Sequence, residues 1–244
     1  MYSFHIKLAG IIINITTIYP DTMELCENYL TDEAGELSVE TDESIIDGER
    51  EKSIRQELVE GLPHCEYGRG YLETLAVYRI ICAKLLDYNC ILMHGAVVAV
   101  DNKAYLFTAK SGTGKTTHIS LWQKKFGERC VVINGDKPLL IIRGDRVCAC
   151  GTPWSGKENL NTNGEAPLKA ICLLTRGETN IIEKISPSEL MTVLLRQIFV
   201  PQVPNANIKV MQIIAKIAKE VGFYRLACNM EPEAADVSYE GMNQ

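Results

Sequence analysis

The chain has 244 residues, 46% of them hydrophobic and 23% charged, with a formal net charge of −6. Those values fit one large domain, or one domain with a small appendage, and exclude a disordered chain. The longest apolar runs, 8–15 and 91–100, are too short to span a membrane, the amino terminus lacks a signal-peptide layout, and the negative charge argues against broad contact with nucleic acid or membrane lipid.

Residues 4–18 are rich in Ile and Thr with Gly10 in the middle, which predicts two short strands in a hairpin. Residues 21–60 then carry 14 acidic and 3 basic side chains, leaving the rest of the chain with a net charge of +5. A solvated connection fits this stretch, and so does an acidic docking face for a basic partner. The composition divides the chain into a small β and acidic segment, 1–70, and a larger domain, 71–244. In the larger part, Leu72, Leu75, Ala76, Tyr78, Arg79, Cys82, Leu85 and Leu86 form a helical stripe that ends near Tyr88-Asn89. Residues 91–100 read as a buried strand and 104–108 as a second one. The turn Asp101-Asn102-Lys103 is too short for a crossover, so the two are antiparallel. Further strands are predicted over 130–134, 139–142 and 147–150, with Arg143-Gly144-Asp145-Arg146 as a turn, and over 169–174 and 180–185, with Arg176-Gly177-Glu178 between them. After Pro187, Ser188 is the predicted N-cap of a helix to about Phe199. A second helix over 207–221, a strand over 224–228 and a last helix from Pro232 complete the chain. The nine cysteines are odd in number and never spaced Cys-x-x-Cys, and Cys148 and Cys150 fall on one strand face. Reduced core thiols in a cytoplasm are expected rather than zinc ligands or disulfides.

One stretch carries clear chemistry. Ala109-Lys110-Ser111-Gly112-Thr113-Gly114-Lys115-Thr116 matches a phosphate-binding P-loop, with Ala109 in place of the first glycine, and lies between a predicted strand and a predicted helix. Gly112 and Gly114 let the backbone curl so that its N–H groups converge on phosphate oxygens, and the helix adds its positive end. Ser111, Gly112, Thr113, Gly114, Lys115, Thr116 and Thr117 are the expected nucleotide contacts. Lys115 would balance phosphate charge, and the Thr116 hydroxyl would hold Mg²⁺. Asp136 follows an apolar strand through Asn134-Gly135, where a metal-binding carboxylate is expected; an Asp in such a turn also serves as a loop cap. In Gly151-Thr152-Pro153-Trp154-Ser155-Gly156-Lys157-Glu158, either Lys157 and Trp154 close on phosphate and substrate, or Trp154 anchors a surface loop. His94 is either a core histidine or a site residue facing the phosphate. His118 is expected to face solvent, Arg196 is a weak candidate for an anion contact, and His5 and His64 have no partner visible in sequence.

A hairpin beside the P-loop strand departs from the largely parallel sheets of common P-loop proteins. Together with Met93-His94-Gly95, Ser111-Gly112-Thr113-Gly114-Lys115-Thr116 and Asn134-Gly135-Asp136, it resembles the kinase domain of HPr kinase/phosphorylase. With Lys137-Pro138 and Gly151-Thr152-Pro153-Trp154-x-Gly156-Lys157-Glu158, it resembles a group of HPr-kinase-like bacterial proteins often labelled carboxykinases. More distantly, it is similar to ATP-dependent phosphoenolpyruvate carboxykinase. The likeness is firm over residues 91–142, about a fifth of the chain.

The resemblance implies an α/β fold with a mixed, partly antiparallel sheet, a P-loop and helices packed on it. It implies a cytoplasmic ATP- and Mg²⁺-dependent phosphotransferase that moves the γ-phosphoryl group to a hydroxyl of a protein serine, a peptide or a small molecule. Asp136, His94 and Lys157 would be the catalytic groups, and Thr116 and Asp136 the metal ligands. The relatives carry two adjacent aspartates where this chain has Gly135-Asp136. A non-catalytic nucleotide-binding module is therefore the main alternative, and a carboxykinase-like enzyme the lesser one. The partners expected are a nucleotide and a hydroxyl-bearing acceptor, with neither nucleic acid nor membrane, and either a monomer or a homo-oligomer.

Overall fold

In a computed structural model, which describes residues 1–60, 65–110 and 112–244, the amino-terminal hairpin closes through Ala9 and Gly10 at φ 48° and 71°. Such paired positive values match the right-handed twist of the strands they join. The turn connects β1 (Tyr2–Leu8) to β2 (Ile11–Thr17), with Tyr2 opposite Thr17. The acidic stretch is not the solvated connection that its composition suggests. It folds as α1 (Asp21–Leu25), a 3₁₀ turn (Glu27–Tyr29), β3 (Leu37–Glu40) and α2 (Glu43–Glu60). Leu37 and Val39 alternate with Ser38 and Glu40, so β3 buries one face as it pairs parallel to β2.

Helix α3 (Arg69–Leu85) supplies the polar ties of this part. The fully buried Glu73 accepts hydrogen bonds from the Ile18 and Tyr19 N–H groups at 2.7 and 2.8 Å and from the Thr41 hydroxyl at 2.5 Å. Glu49 is equally buried and meets Arg79 Nε at 2.7 Å, while Arg69 bridges Glu43 and Asp47. Local pairing of this kind lets an acidic segment fold. The chain divides into two compact units, Met1–Lys84 and Leu85–Gln244. The helix that was expected to open a domain at 71 thus falls almost wholly in the first unit.

The second unit contains β4 (Cys90–Leu92), β5 (Ala96–Val100), β6 (Lys103–Thr108), α4 (Lys115–Phe126), β7 (Cys130–Asn134), β8 (Leu139–Arg143), β9 (Arg146–Cys150) and β10 (Glu165–Arg176). After these come β11 (Ile181–Lys184), α5 (Pro187–Gln197), α6 (Ala206–Glu220), β12 (Gly222–Cys228) and α7 (Glu233–Asn243). The nine strands described here form one mixed sheet in the order β4-β8-β9-β10-β6-β5-β7, with β12 beside β10 and carrying β11. The hairpin of β5 and β6 is antiparallel as predicted, whereas β10 runs parallel to β6 and β12 and, at its first residues, antiparallel to β9.

Both faces of the sheet are covered. Val97, Ala99 and Leu106 pack towards α5 and α6, while Val98, Val100, Tyr105 and Phe107 pack against α4 and α7. For that reason β5 is apolar at every position instead of alternating.

Several boundaries differ from those read in the sequence. The apolar run 91–100 is two strands, parted at Met93-His94-Gly95. Met93 N–H bonds to Pro138 O at 3.2 Å and His94 N–H to Gln197 O at 2.7 Å, so the segment leaves the ladder. A Cβ on Gly95 would stand 2.9 Å from Leu106 Cδ2 and 3.0 Å from Phe107 O, so any larger residue would force its neighbours to shift. The N-cap of α5 is Ser186, not Ser188. It forms a capping box with Glu189, and Pro187 takes the first helical position. Among the described residues no helix is long and apolar enough to cross a membrane.

Candidate functional site

Strand β6 delivers the chain to the glycine loop at the edge where β6 and β10, being parallel, both end. Ala109 is fully buried and does not take a positive φ, so its methyl group packs in the core below the loop without strain. Gly112 and Gly114 lie at φ 75° and 117°, and a Cβ on either would meet nothing. They are glycines for backbone conformation and not for want of space. The first intrahelical bond of α4 runs from His118 N–H to Gly114 O at 2.9 Å, so the N–H groups of Lys115, Thr116 and Thr117 precede it, and no side chain caps them. Ser111 lies outside the described residues.

Lys115 is half-buried, and its Nζ reaches Ala109 O at 3.4 Å. Burial holds its ammonium below the ordinary lysine range against the upward pull of Asp136. Asp136 is placed by Asn134, which is wholly buried. The Asn134 Oδ1 accepts from the Asp136 and Lys137 N–H groups at 2.8 and 2.7 Å, and its Nδ2 donates to Thr152 O and Oγ1 at 3.0 Å. Asp136 Oδ1 lies 2.9 Å from His94 Nε2, and Oδ2 lies 3.7 Å from Lys137 Nζ. Burial raises the Asp136 carboxyl, but the His94 hydrogen bond and the charges of Lys137, His94 and Lys115 together hold it below the usual carboxylate range. His94 also has its Nδ1 2.9 Å from Gln197 Oε1, and its carbonyl accepts from Thr108 Oγ1 at 3.1 Å. The histidine thus joins the end of β6, the aspartate and the end of α5.

The loop after β9 is pinned to the same strand end. Thr162 N–H donates to Ile133 O at 3.1 Å and Gly135 N–H to Leu160 O at 2.8 Å. Trp154 is only 5% exposed, so it anchors the loop and does not offer its ring to a ligand. Gly156, at φ 84°, abuts Asp136, since a Cβ there would stand 3.1 Å from the Asp136 Cβ. Lys157 follows at the exposed tip.

Other candidates fall elsewhere. His118 does not face solvent: it is buried between Phe107, Trp122 and Ser238, with Nε2 3.1 Å from Trp122 Nε1. Arg196 is exposed on α5, one residue before Gln197. His64 lies outside the described residues, and none of the nine cysteines forms a disulfide. Two residues of the site carry no sequence signal of their own. One is Gln197. The other is Arg176, whose Nη2 donates to Gly112 O at 2.8 Å from the end of β10.

The donor set fits a magnesium–nucleotide complex. A half-buried ammonium and a run of uncapped amides meet an anion's needs. Among the described residues no group of three or more His, Cys, Asp or Glu could hold a metal alone. Asp136 and the Thr116 hydroxyl are of the chemical kind that could supply the one or two protein oxygens Mg²⁺ usually takes, with phosphate and water completing its shell.

The fold is similar to the solved structure of the Hpr(Ser) kinase/phosphatase from Coxiella burnetii, at 8% sequence identity, covering 61% of this chain and 94% of that one, with a TM-score of 0.36. No family model and no curated protein matches the chain.

Proposed function

We propose that the chain is an ATP- and Mg²⁺-dependent phosphotransferase that transfers the γ-phosphoryl group to a hydroxyl. The observation that carries this reading is the His94–Asp136 pair at 2.9 Å, whose carboxylate interacts through charge with Lys115, the first residue of the uncapped helix α4. The amides of 112–117, with Ser111, bind the phosphate chain, and Lys115 balances its charge. Thr116 and Asp136 would hold Mg²⁺, which would supply charge neutralisation to the phosphate chain. Asp136 Oδ1 is held by His94, and Oδ2, 3.7 Å from Lys137 Nζ, would be the oxygen offered to the metal or to the incoming hydroxyl.

Asp136 orients that hydroxyl and takes its proton as the oxygen–phosphorus bond forms and the bond to the β-phosphate oxygen breaks, releasing ADP. A carboxylate held below its ordinary range is a weak base, which suits a transfer driven mainly by positioning and charge neutralisation. Lys157 stabilises the charge that develops on the transferred group. The acceptor is a protein serine, a peptide or a small hydroxylated molecule.

One observation favours a second reading, a nucleotide-binding module without turnover: the site holds Asp136 alone, and a Cβ on Gly135 would stand 3.1 Å from Ser155 O. The test is γ-labelled ATP with Mg²⁺ in a cytosolic extract, with wild-type or Asp136→Asn protein. Label should pass to an acceptor with wild type and not with the variant. No transfer by wild type that binds ATP would replace the kinase with the binding module.

A further inference from the structure

The end of α5 is stitched onto the segment that carries His94. Gln197 O accepts the His94 N–H at 2.7 Å, Ile198 bridges Met93, and Phe199 N–H donates to Leu92 O at 3.0 Å. Met93, Leu194 and Ile198 are buried in the same core, so the stitch is fixed by packing as well as by hydrogen bonds. The Gln197 side chain adds a second tie, Oε1 to His94 Nδ1 at 2.9 Å, on the edge of the ring opposite Asp136. One side chain therefore orients a histidine that in turn orients a carboxylate. This is the connectivity by which a third group fixes ring and tautomer in many catalytic and metal sites. Glutamine suits the task because its amide can accept from Nδ1–H or, turned over, donate to a bare Nδ1.

We infer that Gln197 is a positioning residue: it fixes the His94 ring so that Nε2 stays on Asp136 Oδ1, and it makes the site depend on the seating of α5. The inference rests on the phosphotransferase reading for its effect on rate, but not for its effect on the ring. On the other edge of the ring Nε2 meets Asp136 Oδ1 at 2.9 Å, and Asp136 Oδ2 in turn lies 3.7 Å from Lys137 Nζ.

The test uses the full chain with Gln197→Met, close in shape but without the side-chain hydrogen bond, and Gln197→Glu, which keeps an acceptor. Imidazole nitrogen NMR signals of His94 are read at one fixed pH without nucleotide, and Mg²⁺–ATP hydrolysis and binding are then measured. The Nδ1 signal should move in Gln197→Met and return towards wild type in Gln197→Glu. Hydrolysis kcat should fall about tenfold in Gln197→Met, roughly the worth of one hydrogen bond, with KM and Kd for ATP unchanged. Ring signals unmoved by Gln197→Met, or KM and kcat changing together, would overturn the inference. If wild type transfers no label from γ-labelled ATP in a cytosolic extract while the ring signals still respond, the phosphotransferase reading fails and the positioning role stands.

Discussion

Asp136 is under opposed pressures, burial raising its carboxyl and His94, Lys137 and Lys115 lowering it, and the cationic neighbours win. The residue before it explains why the site has a single carboxylate. Gly135 packs under the loop that follows β9, where a Cβ would come 3.1 Å from Ser155 O and 3.4 Å from Leu160. A side chain there meets two backbone carbonyls, of which that of Leu160 already accepts from Gly135 N–H at 2.8 Å, so the neighbours cannot yield cheaply. Gly135→Asp is therefore expected to lose about 1–3 kcal/mol of stability without gaining Mg²⁺ affinity. Urea unfolding and a Mg²⁺ titration check this, and tighter Mg²⁺ binding at unchanged stability would show that the position has room for a second ligand.

At the scale of elements, α4 links the glycine loop to the core through His118. Burial pushes this imidazole down from its ordinary 6.5 to about 4, so it is neutral in the fold. As pH falls below 6.5 the unfolded chain takes up the proton first. The stabilisation is intact above pH 6.5 and is lost towards pH 4, by about 3 kcal/mol in all. His118→Gln, which keeps an acceptor for Trp122, should lose less stability between pH 7 and pH 4.5 than wild type does. Parallel losses in denaturant midpoint would show that His118 does not drive the acid sensitivity.

The same helix shows what the sequence made readable. The spacing of Gly112, Gly114, Lys115 and Thr116 is local, so both the loop and its helix could be read from a few adjacent residues. The start of α5 was misplaced by two residues, at Ser188, although Ser186-Pro187-Ser188-Glu189 spells a capping box with proline at the first helical position. Gln197 and Arg176 were not readable. The first meets His94 across 103 residues of sequence and the second meets Gly112 across 64, and such contacts follow only from strand order. In particular, nothing local says that β10 runs parallel to β6 and so ends beside the loop.

At the scale of the whole chain, strong hydrophobic patterns gave the elements, and polar pairing decided where composition misled. The acidic stretch read as a connection because its charges dominate its average, yet its Glu49 is buried and paired with Arg79, 30 positions away, and its Thr41 donates to the buried Glu73, 32 positions away. The division into Met1–Lys84 and Leu85–Gln244 leaves the glycine loop, His94, Asp136, Lys157, Arg176 and Gln197 all in the second unit. The central claim about that unit is that it binds a magnesium–nucleotide complex through the loop and Lys115. Calorimetric titration of Mg²⁺–ATP into the full chain, wild type and Lys115→Met, tests it most directly. Saturable binding by wild type, weakened about tenfold or more in the variant, is the predicted result. No binding by wild type, or equal affinity in the two proteins, would contradict it.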